Sequence, residues 1–140
     1  MIMSMKYKAM VLSCIDPRFQ PIIFNYLNKK KLKGKYSLFT IAGASIGVTA
    51  PKFKNWHKTF WDNIETSIKI HKIQKLIVIN HRDCGAAKIV NGKKNFNSLN
   101  ELKIHKSSFK KIKKVFKKKY RNLKIETYLI SLNKKIEEFS

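Results

Sequence analysis

The stretch Ala9-Met10-Val11-Leu12-Ser13-Cys14-Ile15-Asp16-Pro17-Arg18 runs from a continuous apolar segment straight into a loop carrying a thiol, a carboxyl and a guanidinium. Far downstream, Leu76-Ile77-Val78-Ile79-Asn80-His81-Arg82-Asp83-Cys84-Gly85 repeats the arrangement with an imidazole and a second thiol. Runs that are apolar at every position, rather than at alternate ones, fit strands of a parallel sheet covered on both faces. Open sheets of that kind place ligand sites just beyond the carboxyl ends of their strands. Cys14 and Cys84, the two cysteines of the chain, are therefore expected to meet beside His81. Two thiolates and an imidazole form a three-ligand zinc set, which leaves a fourth position for water or another donor.

Working outward, the first strand is expected over about Tyr7 to Ser13. Pro21 suits an early helical position, and Ile22, Ile23, Tyr26 and Leu27 fall at helical spacing in a helix over about Gln20 to Lys31, with Gly34 as its stop. Tyr36 to Ile41 forms the second strand. It ends in Ala42-Gly43-Ala44-Ser45, small residues that let backbone approach a neighbouring loop or ligand, and Pro51 closes the irregular stretch. The stripe Phe53, Trp56, Phe60, Ile64 and Ile68 marks a long helix to His71 lying on the sheet. Lys75 to Asn80 is the third strand, Gly85 opens a short helix through Val90, and Asn91-Gly92 is a turn. Leu102, Phe109, Ile112, Val115, Phe116 and Tyr120 mark a further amphipathic helix. A strand over Lys124 to Leu132 and a short one near Ile136 follow. This order predicts a three-layer α/β domain: a mainly parallel central sheet with helices on both faces and right-handed crossovers.

At 140 residues the chain is expected to form a single domain over 1–140, which buries roughly two thirds of its unfolded surface. Its apolar runs are shorter than the roughly 20 residues of a membrane span, and Met1 to Lys6 holds no apolar segment of signal-peptide length. A cytoplasmic location is the expectation. Two well-separated cysteines suit metal binding or catalysis better than a secreted disulfide framework. A formal charge of +23 points towards nucleic acid, yet only Arg18, Arg82 and Arg121 among the 31 basic residues are arginines. The rest are lysines among many Ile and Asn residues, a codon-driven bias that argues for a lysine-coated surface and against a nucleic-acid or membrane partner. The run Lys110 to Lys119 is broken by Ile112, Val115 and Phe116 at helical spacing, which describes a solvated face behind a core stripe. A positive field also concentrates small anions such as bicarbonate.

With both motifs in view, the chain resembles the β-class carbonic anhydrases, whose zinc-site signature pairs Cys-x-Asp-x-Arg with a downstream His-x-x-Cys-Gly. Cys14, Asp16, Arg18, His81, Cys84 and Gly85 match it position by position. It is closer to a small carbonic-anhydrase-like group with Cys-Ile-Asp-x-Arg-Phe and His-x-Asp-Cys-Gly-Ala, here Cys14 to Phe19 and His81 to Ala86. The resemblance covers most of the chain. It implies a β-carbonic-anhydrase-like fold, a Zn2+ ion held by Cys14, His81 and Cys84, and carbonate dehydratase activity, the reversible hydration of CO2 to bicarbonate by zinc-bound hydroxide. A homodimer is implied too, because the family builds its sites near subunit contacts. Asp16 and Arg18 take the catalytic roles: an Asp paired with Arg leaves zinc open to water, whereas a released Asp can occupy the fourth position and silence the site. Where the family has Arg-Asn-Ala-Gly-Asn, this chain has Thr40-Ile41-Ala42-Gly43-Ala44; the Ala-Gly pair remains without its polar neighbours.

Two thiolates make such a site electron-rich, so bound water loses a proton less readily than at a three-histidine site and a nearby cation must assist; Arg18 is the obvious one. Carbon dioxide needs only a small apolar pocket, for which Ile15, Phe19 and Ala44 are candidates. Asp83 suits an N-cap, and Gly85 a helix start with close packing. His57 reads as a surface or partly packed residue, and His71 as a cation at a helix C-terminus. Glu101 and His105, four apart, share a helix face, which leaves a proton relay open. Two other functions fit the same residues. One is a relative that hydrolyses carbonyl sulfide or carbon disulfide; the other is a non-catalytic zinc-stabilised module whose lysine coat contacts nucleic acid or acidic lipid.

Overall fold

A computed structural model describes residues 7–139. The expectation drawn from Met1 to Lys6 lies outside the described residues. Strands β1 (Ala9–Ser13), β2 (Tyr36–Thr40), β3 (Lys75–His81), β4 (Lys124–Ile130) and β5 (Ile136–Glu138) form one sheet in the order β2-β1-β3-β4-β5. The first four are parallel, and β5 runs antiparallel to β4. Helices α1 (Gln20–Lys29), α2 (Ser45–Thr49), α3 (Lys54–His71), α4 (Gly85–Asn91) and α5 (Ser98–Lys119) make up the outer layers.

The apolar runs behave as a two-sided sheet requires. Met10, Leu12, Leu76 and Val78 face Phe60 and Ile64 of α3 and Phe109, Ile112 and Phe116 of α5. Their neighbours Ala9, Val11, Ile77 and Ile79 face Ile23 and Leu27 of α1. Every residue of β1 is buried, and the hydroxyl of its one polar member, Ser13, has no hydrogen-bond partner.

Several expectations shift. The segment after β2 is not wholly irregular: Ser45–Thr49 is a buried helical turn against α3 and α5. It is too short for a hydrophobic period to reveal. The stripe of α3 enters the core only at Phe60. Phe53 sits in a preceding 3-10 turn and stacks on the exposed Trp56 at 4.5 Å, so these rings cover each other instead of the sheet. Val115 is 37% exposed, and the buried face of α5 continues towards its N-terminus through Glu101, His105 and Ser108. Helix α1 stops at Lys29, with Gly34 in the following turn at φ +72°.

On the α1 side, Lys75 Nζ lies 3.0 Å from Glu126 Oε2, and the Tyr128 hydroxyl donates to Glu126 Oε1 at 2.8 Å. Burial alone would raise the Glu126 carboxyl, but the Lys75 and Tyr128 bonds outweigh it and hold the group below its usual 4.5. A depressed folded value means the contribution is complete above about pH 4.5 and is lost as pH falls. Glu126→Gln is therefore expected to cost on the order of 1 kcal/mol at pH 7. Its difference in melting temperature from wild type should shrink as the pH is taken below 4.5.

Candidate metal centre

Strand β1 is joined to β2 on one side and lies beside β3 on the other, so the chain order reverses between β1 and β3. At such a switch point the connecting segments diverge, which leaves a crevice at the strands' carboxyl ends. Cys14 directly follows β1, and His81 ends β3 with Cys84 three residues on. One donor atom from each lies within 4.8 Å of the others, and all three residues are buried. Both cysteines are free thiols rather than a disulfide.

The protonation pattern of this cluster is unusual. A hydrogen bond from the Cys84 thiol, strong enough to offset burial and helped by the Gly43 N–H at 3.3 Å, lowers Cys14 to about 4. The same shared bond and burial push Cys84 up. His81 Nδ1 donates to the Arg82 carbonyl at 2.7 Å, which leaves Nε2 as the lone-pair nitrogen. That Nε2 is buried with no hydrogen-bond partner. Two sulfurs and an orphaned ring nitrogen form the soft donor set that a zinc-like divalent cation satisfies. Phe19 stacks on the imidazole with centroids 4.1 Å apart and holds the ring plane. Sequence reading placed Phe19 only as pocket lining; its stacking was not foreseen.

Asp16 and Arg18 form a fork. Arg18 Nη2 donates to Asp16 Oδ2 at 2.8 Å, Nε to Oδ1 at 3.1 Å, and the Arg18 backbone N–H to Oδ1 at 3.0 Å. The Arg18 bond is the main cause that holds the Asp16 carboxyl down at about 2. Asp16 Oδ2 also lies 3.8 Å from His81 Nε2. Arg18 reaches across the crevice, with Nη1 donating to Asp83 Oδ2 at 3.0 Å. Asp83 is thus no helix cap: Cys84 occupies the N-cap position of α4, and Asp83 takes a left-handed φ of +59° that turns its carboxylate to Arg18.

The crevice is a cavity of about 340 Å³ lined by Cys14, Ile15, Asp16, Ala42, Gly43 and Ala86, among others. Of the expected lining residues only Ile15 takes part; Ala44 is fully buried and Phe19 lies against His81. Close packing here falls to Gly43 rather than Gly85. At φ +81°, a Cβ on Gly43 would come 2.7 Å from the Ala86 Cβ, whereas one on Gly85 would meet nothing within 4 Å. His57 is partly buried and His71 Nδ1 pairs with the Ser37 hydroxyl at 2.9 Å; neither joins the cluster. Glu101 and His105 are deeply buried beside it. Burial alone would raise Glu101, but bonds from His105 and from the Cys84 backbone N–H hold it at about 2. Desolvation keeps His105 below its ordinary value, hence neutral.

A family model described as "Putative carbonic anhydrase" matches residues 4–140. The chain belongs to that family. An uncharacterized protein of Rickettsia conorii is 28% identical over 131 residues, which is 93% of this chain and 70% of the relative. Among solved structures, the β-carbonic anhydrase CafA of Aspergillus fumigatus is similar at a TM-score of 0.64 and 11% identity, covering 97% of this chain and 76% of that one. A tetrameric β-carbonic anhydrase of Sordaria macrospora is similar at 0.61 and 12% identity, covering 97% and 82%. The mostly parallel five-stranded sheet with helices on both faces is therefore the β-carbonic anhydrase fold, as the resemblance implied.

Proposed function

We propose that this carbonic anhydrase family member is a zinc-dependent lyase that reversibly hydrates CO2 to bicarbonate, working as a single-domain, cytoplasmic homo-oligomer. The observation that carries the reading is the orphaned, buried His81 Nε2 clustered with the sulfurs of Cys14 and Cys84 within 4.8 Å. Cys14, His81 and Cys84 would hold the ion. When bound, zinc supplies Lewis-acid activation of a water molecule. Asp16, kept ionised by Arg18, can only accept hydrogen bonds at neutral pH. Its carboxylate at the cavity wall would accept one from the attacking water and aim the oxygen at the substrate carbon. Arg18 holds that carboxylate in its fork and supplies positive charge as anionic product forms. Ile15, Ala42 and Ala86 offer CO2 an apolar wall, and the released proton leaves through the open mouth. No helix among the described residues is long and apolar enough to cross a membrane.

Purified protein is expected to carry about one zinc per chain and to hydrate CO2 in a stopped-flow assay. Arg18→Ala should keep the zinc and lose about 100-fold in kcat/KM, the scale of a misplaced group beside the reacting atoms. Unchanged hydration in that variant would remove Arg18 from the reaction. Turnover of carbonyl sulfide or carbon disulfide without hydration would transfer the site to hydrolysis. Zinc without any turnover, together with steeply salt-dependent DNA binding, would mark a basic binding module.

A further inference from the structure

Under the His81–Cys84 loop runs a buried polar chain that the proposed reaction does not use. Glu101 and His105, on the first turns of α5, are 5% and 0% exposed. Glu101 Oε2 accepts from the Cys84 backbone N–H at 3.0 Å and lies 3.2 Å from His105 Nε2. Glu101 Oε1 accepts from Arg82 Nε at 3.3 Å. Protons in this chain can be assigned from its far end. Asn80 Oδ1 accepts the Ser45 backbone N–H at 3.1 Å, which turns the Asn80 amide nitrogen to His105 Nδ1 at 2.9 Å. Nδ1 is then an acceptor, so Nε2 carries the proton and donates to Glu101.

The arrangement does not suit a proton relay. It ends inward at Ser45 and Ser108, which are 0% and 4% exposed, and passes through an amide that does not titrate. It does suit a brace. Asp83 holds a left-handed backbone that a non-glycine residue rarely adopts, and such a conformation persists only where its surroundings impose it. Glu101 bonds to the residue on each side of Asp83, and the carbonyl of one of them, Arg82, fixes His81 Nδ1.

We infer that Glu101, held by His105 and Asn80, is a positioning residue that clamps the strained Arg82–Cys84 turn so that His81 Nε2 and Cys84 Sγ face Cys14. A glutamine at this position is the same size, but every partner of Glu101 is a donor, so its amide NH2 must oppose one of them. The inference draws on the metal reading for one arm of its test only.

In that arm, Glu101→Gln is expected to bind zinc about 10–100-fold more weakly, the usual effect of removing a hydrogen-bond partner behind metal ligands. Its cobalt-substituted form should show a shifted and weakened thiolate-to-cobalt band. Ile112→Val, in the core further along α5, controls for lost stability and should lower the melting temperature without changing affinity. The second arm uses metal-free protein and a thiol reagent, with the modified residue located by mass spectrometry. Glu101→Gln should expose Cys84 to modification at least tenfold faster, with a much smaller change at Cys14. Wild-type zinc affinity in Glu101→Gln, or equal acceleration at both cysteines, overturns the inference. Should wild type itself take up no zinc, the metal reading falls and the thiol arm alone decides this one.

Discussion

His81→Ala is expected to purify with little zinc, to bind added zinc more than 100-fold more weakly than wild type, and to lose measurable CO2 hydration. Removing a hydrogen-bond partner outside a ligand set typically weakens a metal site by about 10–100-fold, so removing one of three proposed ligands should exceed that. The fold should survive. The His81 backbone stays in register with Ile130 at the end of β3, and the loss is confined to an imidazole that touches Phe19 and the sulfurs. The cavity left under Phe19 should cost about 2–3 kcal/mol, visible as a lower melting temperature in the metal-free state. Metal analysis, zinc titration and circular dichroism of one preparation separate the outcomes. Stoichiometric zinc and full activity in His81→Ala would refute the proposed ligand set.

Gly47→Ala should be the most disruptive single methyl group in the chain. Its Cβ would lie 2.2 Å from the Ala42 carbonyl oxygen and 3.3 Å from Ile41 Cγ2. The first contact is to backbone, so no rotamer change relieves it. Overpacking costs typically about 1–3 kcal/mol, and a clash with rigid backbone belongs at or above the upper end. Against a total stability of about 5–15 kcal/mol, urea unfolding should show a large fall in midpoint. Any relief must move Ala42, next to the Gly43 N–H that bonds Cys14 Sγ, so zinc affinity should fall with stability. A midpoint equal to that of wild type would show that the Ala42 segment yields freely.

Much of this architecture was written in local sequence. Ala9-Met10-Val11-Leu12 and Leu76-Ile77-Val78-Ile79 are apolar on both faces, and only a sheet covered twice can accept them, so their burial follows from composition alone. Cys14 and His81 stand at the ends of those strands in any such sheet, which is why the pairing of distant motifs could be foreseen. The short helix Ser45–Thr49 could not, since five residues carry no helical period and its position follows from Gly47 lying against Ala42.

Sequence by itself determined the buried strands, the amphipathic helices and the residue types delivered to the sheet's carboxyl edge, because each rests on contrast between a side chain and its near neighbours. Tertiary structure alone decided that Asp83 would turn to Arg18 instead of capping a helix, and that donors from other elements would meet Glu101 at the end of the buried stripe of α5. A buried carboxylate is stable only where donors from other elements converge on it. Here they come from the backbone of Cys84 and the side chains of Arg82 and His105, and no local pattern around Glu101 records that the first two would arrive.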